Sequence, residues 1–356
     1  MRQQRFDSID VFRGLTVAAM LLVNNAGDWS HVYPWLEHAN WHGCTLADFI
    51  FPFFLVIVGV SLELAYAPKL EQGLDRAALI KAAWWRALKI IGLGIALHLL
   101  AMWLIPDRHF RLFGVLQRIG ICFGLATTLV LFLSTTRQIL VAILVILLAY
   151  ATLMYFGGSY EPHLNLADRV DTAVLGVWAY QFDPLSLRGQ EPEGILSTIP
   201  AIANVLFGVI AARFLRSSRW SLLLVSAFGL VVIGFLSQYA IPWNKQLWTP
   251  SFVCWTSGWA IIVIAVLHLL IDRWRVPAIG ISFGRNAIIA YAAAWIVTCL
   301  FAATNAMSLF YPEFFANGIG QYSSFEFASF SFALAFTCVF GGVMYVLRRK
   351  GIRFSI

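Results

Sequence analysis

The sequence predicts an all-α membrane protein: a polytopic bundle of about ten, or eleven, transmembrane helices with both termini cytoplasmic. Three observations carry that expectation. Of 356 residues, 60% are hydrophobic and only 12% are charged, about half the charged share of a soluble domain. The apolar residues come in runs of roughly 20, the length a helix needs to cross a ~30 Å hydrocarbon layer. Lys and Arg gather in alternate loops, as they do on the cytoplasmic side of membrane proteins.

Taken in order, the first span is expected at 9–26, an apolar run interrupted by Asp10 and Arg13. Those charges, and the lack of a small-residue cleavage site, argue that it is retained rather than removed as a signal peptide. The second span, 46–67, opens with Asp48 and carries Pro52. The third, 78–105, begins among Arg76, Lys81 and Arg86, and the fourth, 117–135, begins with Gln117-Arg118. Spans at 137–156, 196–215, 220–240 and 252–271 follow, the sixth and eighth preceded by the polar entries Glu193-Gly194-Ile195-Leu196-Ser197-Thr198 and Asn244-Lys245-Gln246-Leu247-Trp248-Thr249-Pro250. The ninth, 279–304, contains Arg285-Asn286, and the tenth is 328–348.

With the N-terminus inside, seventeen of the 25 basic residues fall on the cytoplasmic side, from Arg2 and Arg5 through to Arg353. Six fall outside (Arg108, Arg111, Arg118, Arg169, Arg188 and Lys245), and Arg13 and Arg285 lie within helices. The net charge of +7 is thereby explained by orientation, and no nucleic-acid partner is implied. Loops 27–45, 157–195 and 305–327 should face outward. The chain reads as one domain, 1–356, whose long external loop 157–195 contains the mixed-charge Asp168-Arg169-Val170-Asp171, a sign of a folded piece. The five cysteines are scattered through apolar spans and read as packing residues. No internal repeat is visible, which speaks against transporters built from inverted repeats.

Ionisable groups at membrane depth are costly and mark pathways or reaction sites. His38 stands just before the second span, and a histidine accepts or donates a proton near neutral pH. It could instead belong to an interfacial aromatic belt with Trp29, Tyr33, Trp35 and Trp41. A metal site with His31 and His42 is the third reading, although no HExxH pattern or cysteine ligand accompanies it. Asp48 is either a first-turn acid favoured by the helix dipole or a buried carboxylate that orients His38 or pairs with Arg118. Asn24 and Asn25 terminate the first span. Arg13 and Arg285 suit phosphate through paired hydrogen bonds, with snorkelling to headgroups as the alternative.

Seven short blocks in order carry a resemblance: Asp10-Val11-Phe12-Arg13-Gly14; Leu22-Val23-Asn24; His38 through Asp48 with Phe51-Pro52; Gly114-Val115-Leu116-Gln117-Arg118; Pro192 through Ala201; Lys245-Gln246-Leu247-Trp248-Thr249-Pro250-Ser251; and Gly284-Arg285-Asn286. Together they resemble the heparan-alpha-glucosaminide N-acetyltransferase family of membrane acyltransferases. The resemblance implies transfer of acetyl from acetyl-CoA to the amine of a glucosamine, with His38 at the active site and Asn24 beside it. It also implies a bacterial inner-membrane relative associated with N-acetylglucosamine utilisation. Two departures stand out: the additional N-terminal lumenal domain of the animal enzymes is not expected, and His42 replaces an Asn or other polar residue. The first favours a smaller amino sugar as acceptor.

On this reading His38 is the general base, oriented by Asp48, and Asn24 donates to the oxyanion. Ping-pong transfer through an acetyl-histidine is the kinetic alternative. Arg13, Gln117, Arg118, Arg285 and Asn286 are expected to bind the cytosolic donor, and Trp41, Glu193, Lys245 and Trp248 the external acceptor. No metal is expected, and the bilayer is the remaining partner, with a homodimer left open. An amino-sugar transporter on the same scaffold and an O-acyltransferase of surface polysaccharide are the competing functions.

Overall fold

The computed structural model describes residues 6–352, so Arg2, Arg5 and Arg353 lie outside it. Among the described residues there are ten long helices. The first, α1 (Asp7–Asn24), carries Asp7, Asp10 and Arg13 in its opening turns. A 3-10 turn (Leu46–Phe49) leads into α2 (Ile50–Glu71), which runs back antiparallel to α1. Then come α3 (Arg76–Leu104), α4 (Val115–Phe132) and α5 (Thr136–Phe156). Beyond a folded insertion lie α7 (Ile195–Arg216), α8 (Trp220–Ser237) and α9 (Pro250–Leu267), the last extended by a π turn to Arg273. Short α10 (Ile281–Arg285), α11 (Ala287–Ala303), short α12 (Ala306–Tyr311) and α13 (Phe325–Arg349) complete the bundle. Among the described residues nine helices are long and apolar enough to cross a membrane, all of the long ones except the charge-bearing α1. The chain's first and last described residues lie at one end of the bundle, where Asn286 donates to the Ile352 carbonyl and Arg285 stands 3.7 Å from Asp7.

The core is organised around α7. In its apolar stretch 83% of the residues are buried, against 22% in α8 and α11, so α7 is central and the others turn aliphatic and aromatic side chains to lipid. Small residues bring α2 and α7 together: a Cβ on Gly59 would overlap the Val205 carbonyl oxygen, and one on Gly208 would overlap that of Val56. Such close approach is how helices gain packing contacts where lipid supplies no hydrophobic drive. Gly14 of α1 and Gly280 and Gly284 at α10 form a second backbone contact of this kind.

The span expected as continuous over 279–304 is broken at Asn286, which separates α10 from α11. The reason is local: α10 is drawn onto α1 by the glycine contact, and Gly280 begins it with φ +87, a backbone geometry open to glycine. The mixed-charge segment does fold. It forms α6 (Leu166–Leu175) and a hairpin of β1 (Gln181–Asp183) with antiparallel β2 (Arg188–Gln190), register Phe182 to Gly189. Thr172 Oγ accepts from Gly189 N–H at 2.8 Å, tying helix to hairpin. Asp171 Oδ1 accepts from Ile195 N–H at 2.8 Å, capping α7.

Candidate functional site

The site is built where the 27–45 loop meets α2. Thr45 and Asp48 form a reciprocal capping box over the 3-10 turn, satisfying backbone donors that a helix start leaves open. Asp48 is 1% exposed and fully engaged. Its Oδ2 accepts from the backbone N–H of Thr45 at 3.0 Å and of Ala39 at 3.1 Å, and its Oδ1 lies 2.9 Å from Nδ1 of His38. Facing a carboxylate, Nδ1 carries the ring proton, which leaves the lone pair on Nε2. The His38 side chain is 45% exposed, so the ring is accessible from outside. A buried carboxylate holding an accessible imidazole in one tautomer is the arrangement a general base requires.

Lys245 arrives from the loop between α8 and α9. Its Nζ stands 3.5 Å from Asp48 Oδ1 and 3.1 and 3.2 Å from the two ring nitrogens of His38. Burial pushes the Lys245 ammonium below its ordinary range, against the pull of the Asp48 and Glu193 carboxylates. Glu193, just before α7, is paired with Arg111, which also grips Glu191. Burial alone would raise the Glu193 carboxyl, but the charges of Arg111, Arg118 and Lys245 hold it below the usual range. Arg118 lies fully buried, donating to Ser197 Oγ, with its guanidinium 4.9 Å from the Trp248 ring centre. Its Nε and Nη1 have no hydrogen-bond partner among the described residues.

Comparison with known proteins bears on what this constellation is. The family description "Heparan-alpha-glucosaminide N-acetyltransferase, catalytic" matches residues 5–230. The chain belongs to the heparan-alpha-glucosaminide N-acetyltransferase family. It is 27% identical to the human heparan-alpha-glucosaminide N-acetyltransferase, over 81% of this chain and 52% of that protein, and 26% identical to the mouse protein over 81% and 53%. The chain thus spans about half the length of the curated relatives it matches. Within the family's matched region lie His38, Asp48, Arg118 and Glu193; Lys245 lies beyond it.

Several expected site residues take other places. Asn24 ends α1 with an exposed side chain, and among the described residues no hydrogen bond joins it to His38; the neighbouring Asn25 instead accepts from Thr298 at 2.7 Å. Trp41 donates from Nε1 to the Tyr160 carbonyl at 2.8 Å, fastening the 27–45 loop to the insertion. Trp248 is 1% exposed, donates from Nε1 to Asn204 and packs on Phe51 and Arg118, so it forms a floor and offers no open face. His31 pairs with Asp28 and His42 faces Asn244, so the three loop histidines diverge.

The residues assigned to the donor are divided between the two ends of the bundle. Arg118 and Gln117, whose Nε2 donates to the Leu112 carbonyl at 3.0 Å, belong to the His38 end. Arg13 bonds Asp10 at 3.0 Å and Ser61 at 2.6 Å. Ser61 is 61 − 48 = 13 residues beyond Asp48 on α2, or ~20 Å at 1.5 Å per residue. Arg285 lies 3.7 Å from Asp7 and 3.9 Å from Asp10, and Asn286 donates to the Ile352 carbonyl at 3.4 Å. A cavity of about 640 Å³ opens at this same end, lined by Glu63, Glu71, Arg213, Arg216, Thr135 and Ser217 among others. The Arg111–Glu191–Glu193 cluster escaped sequence reading, although opposite charges at three outer-loop positions were its visible trace.

Proposed function

We propose that this protein is a transmembrane N-acetyltransferase of a bacterial inner membrane, moving acetyl from cytosolic acetyl-CoA to the amine of a glucosamine-type sugar on the outer side. The observation that carries the reading is the 2.9 Å contact between buried Asp48 and a half-exposed His38 imidazole, in a chain of this family. Nε2 of His38 removes a proton from the acceptor amine as its nitrogen attacks the thioester carbonyl. Asp48 holds the ring tautomer and balances the imidazolium that forms. General-base help of this kind is worth about 10²–10⁴-fold.

The charge bias favours placing the Arg13 end in the cytoplasm, where the donor's phosphates would meet Arg13, Arg285, Arg213 and Arg216. The pantetheine arm then reaches toward His38, and Glu193 with the floor of Trp248 and Arg118 borders the acetyl and acceptor groups. Purified protein in liposomes, supplied with radiolabelled acetyl-CoA and glucosamine, should yield N-acetylglucosamine. No acetylated product with any amino sugar, from well-folded protein that moves the sugar unchanged, would refute the reading in favour of transport.

A further inference from the structure

Acyl transfer is helped by a hydrogen-bond donor or a positive charge where the thioester oxygen gathers charge, as well as by a base. Asn24, the sequence candidate for that task, hydrogen-bonds neither His38 nor Asp48 among the described residues. Lys245 is placed differently. Although 207 residues separate it from His38, its Nζ is nearly equidistant from both ring nitrogens, at 3.1 and 3.2 Å. Linear hydrogen bonds to both are impossible from one point, and Nδ1 is already committed to Asp48. The ammonium therefore acts on the site as a charge beside the His38 ring, 3.2 Å from the Nε2 that would serve as base.

The loop that presents it is rigid. Asn244 Oδ1 accepts from Leu247 N–H at 2.8 Å, Thr249 Oγ1 accepts from Asn244 N–H at 3.1 Å, and Gly43 N–H donates to the Trp243 carbonyl at 2.8 Å. Trp248, held at φ 53, is pinned through its indole to Asn204. The groups facing Lys245 are His38, Asp48, Cys44 and Glu193. With 17% of its side chain exposed, the ammonium is partly accessible next to the half-exposed His38 ring.

We propose that Lys245 is a catalytic residue of acetyl transfer, its ammonium stabilising the tetrahedral oxyanion beside His38. The proposal rests on the acetyltransferase reading above. The amine nitrogen forms a bond to the carbonyl carbon, the carbonyl π pair moves to oxygen next to Lys245, and His38 Nε2 takes one amine proton. The carbonyl then re-forms as the C–S bond breaks, and the departing thiolate takes that proton from His38, giving the N-acetyl sugar and free coenzyme A. Lys245 keeps its protons throughout.

The test is steady-state transfer from radiolabelled acetyl-CoA to glucosamine by wild type, Lys245→Met and Lys245→Arg, with melting curves for all three. Lys245→Met should lower kcat by about 10²–10³-fold, the usual loss of one oxyanion donor, with KM changed by no more than about threefold. Lys245→Arg should keep roughly a tenth or more of kcat and move the alkaline limb of the rate profile to higher pH, because a guanidinium does not release its proton. A kcat within about threefold of wild type for Lys245→Met would overturn the proposal. So would equal losses in both variants with the alkaline limb unmoved, which is the signature of a packing role. If Lys245→Met does not fold, the alkaline limb of Lys245→Arg decides by the same criterion. A silent wild type would instead sink the acetyltransferase reading itself.

Discussion

Asp48→Asn separates orientation from charge at the centre of the site. The carboxylate makes two kinds of contact: Oδ2 holds the backbone N–H groups of Thr45 and Ala39, and Oδ1 holds His38 Nδ1 at 2.9 Å with Lys245 at 3.5 Å. An asparagine can keep the first set only by placing its oxygen at the Oδ2 position. Its NH2 group then faces His38, Nδ1 becomes the acceptor, and the ring proton moves to Nε2, where it blocks the base. The amide also removes the Asp48 charge from Lys245, leaving Glu193 as the carboxylate that faces it. Loss of the base tautomer should lower kcat by about 10²–10⁴-fold, or about 3–5 kcal/mol in the barrier. The retained backbone bonds should keep the variant folded. Radiolabelled acetyl transfer together with a thermal melt checks both halves, and a folded variant within about threefold of wild-type kcat would refute the tautomer argument.

Further expectations follow from the same geometry. His38→Ala should lose acetyl transfer by about 10²–10⁴-fold while binding acetyl-CoA normally; His42→Ala, whose nearest carboxylate lies 3.9 Å away, should change turnover little, and the reverse ranking would displace His38 as the base. Burial pushes the Asp171 carboxyl up to about 7, so the folded chain keeps a proton that the unfolded chain releases near its ordinary value of 3.8. Stability from this group therefore falls as pH rises through that interval. Asp171→Asn, which can still accept from Ile195 N–H, should melt above wild type at pH values beyond that window and converge with it in acid; a melting difference that stays constant across a pH series would contradict this. Single cysteines introduced in the 157–195 loop should react with an impermeant reagent in intact cells, and one near Arg216 only after permeabilisation; the opposite pattern would invert the proposed direction of transfer.

Much of this architecture was legible from local pattern. The span lengths follow from the hydrocarbon thickness, and Thr45-Leu46-Ala47-Asp48 has the spacing of a capping box, so the Asp48 turn could be read from four residues. His38 and Asp48 are ten apart on one loop, close enough for sequence to pair them. Lys245 was assigned to the acceptor because its meeting with His38 depends on α2, α7 and α9 packing side by side, which no local pattern records. Arg118 was grouped with Arg13 by residue type, although its place at the start of α4 puts it at the other end of the bundle. The break at Asn286 was hidden because a hydropathy window averages over a single polar residue, whereas the glycine contact with α1 that causes it is tertiary.

The meeting of Gly59 and Gly208 has a mechanical consequence. At that point the contact is backbone on backbone, with no rotamer to rearrange, so α2 and α7 cannot slide without one carbonyl climbing over the opposing Cα. The helices that carry Asp48 and border Glu193 therefore behave as one stiff girder through the membrane. On the proposed acetyltransferase reading, admission and release of a long thioester fall to helices with looser joints, such as α11, whose apolar stretch is only 22% buried. Spin labels placed across α2 and α7 should keep their separation when acetyl-CoA is added, while a pair across α3 and α11 should move; a shift in the first pair would mean that the girder bends.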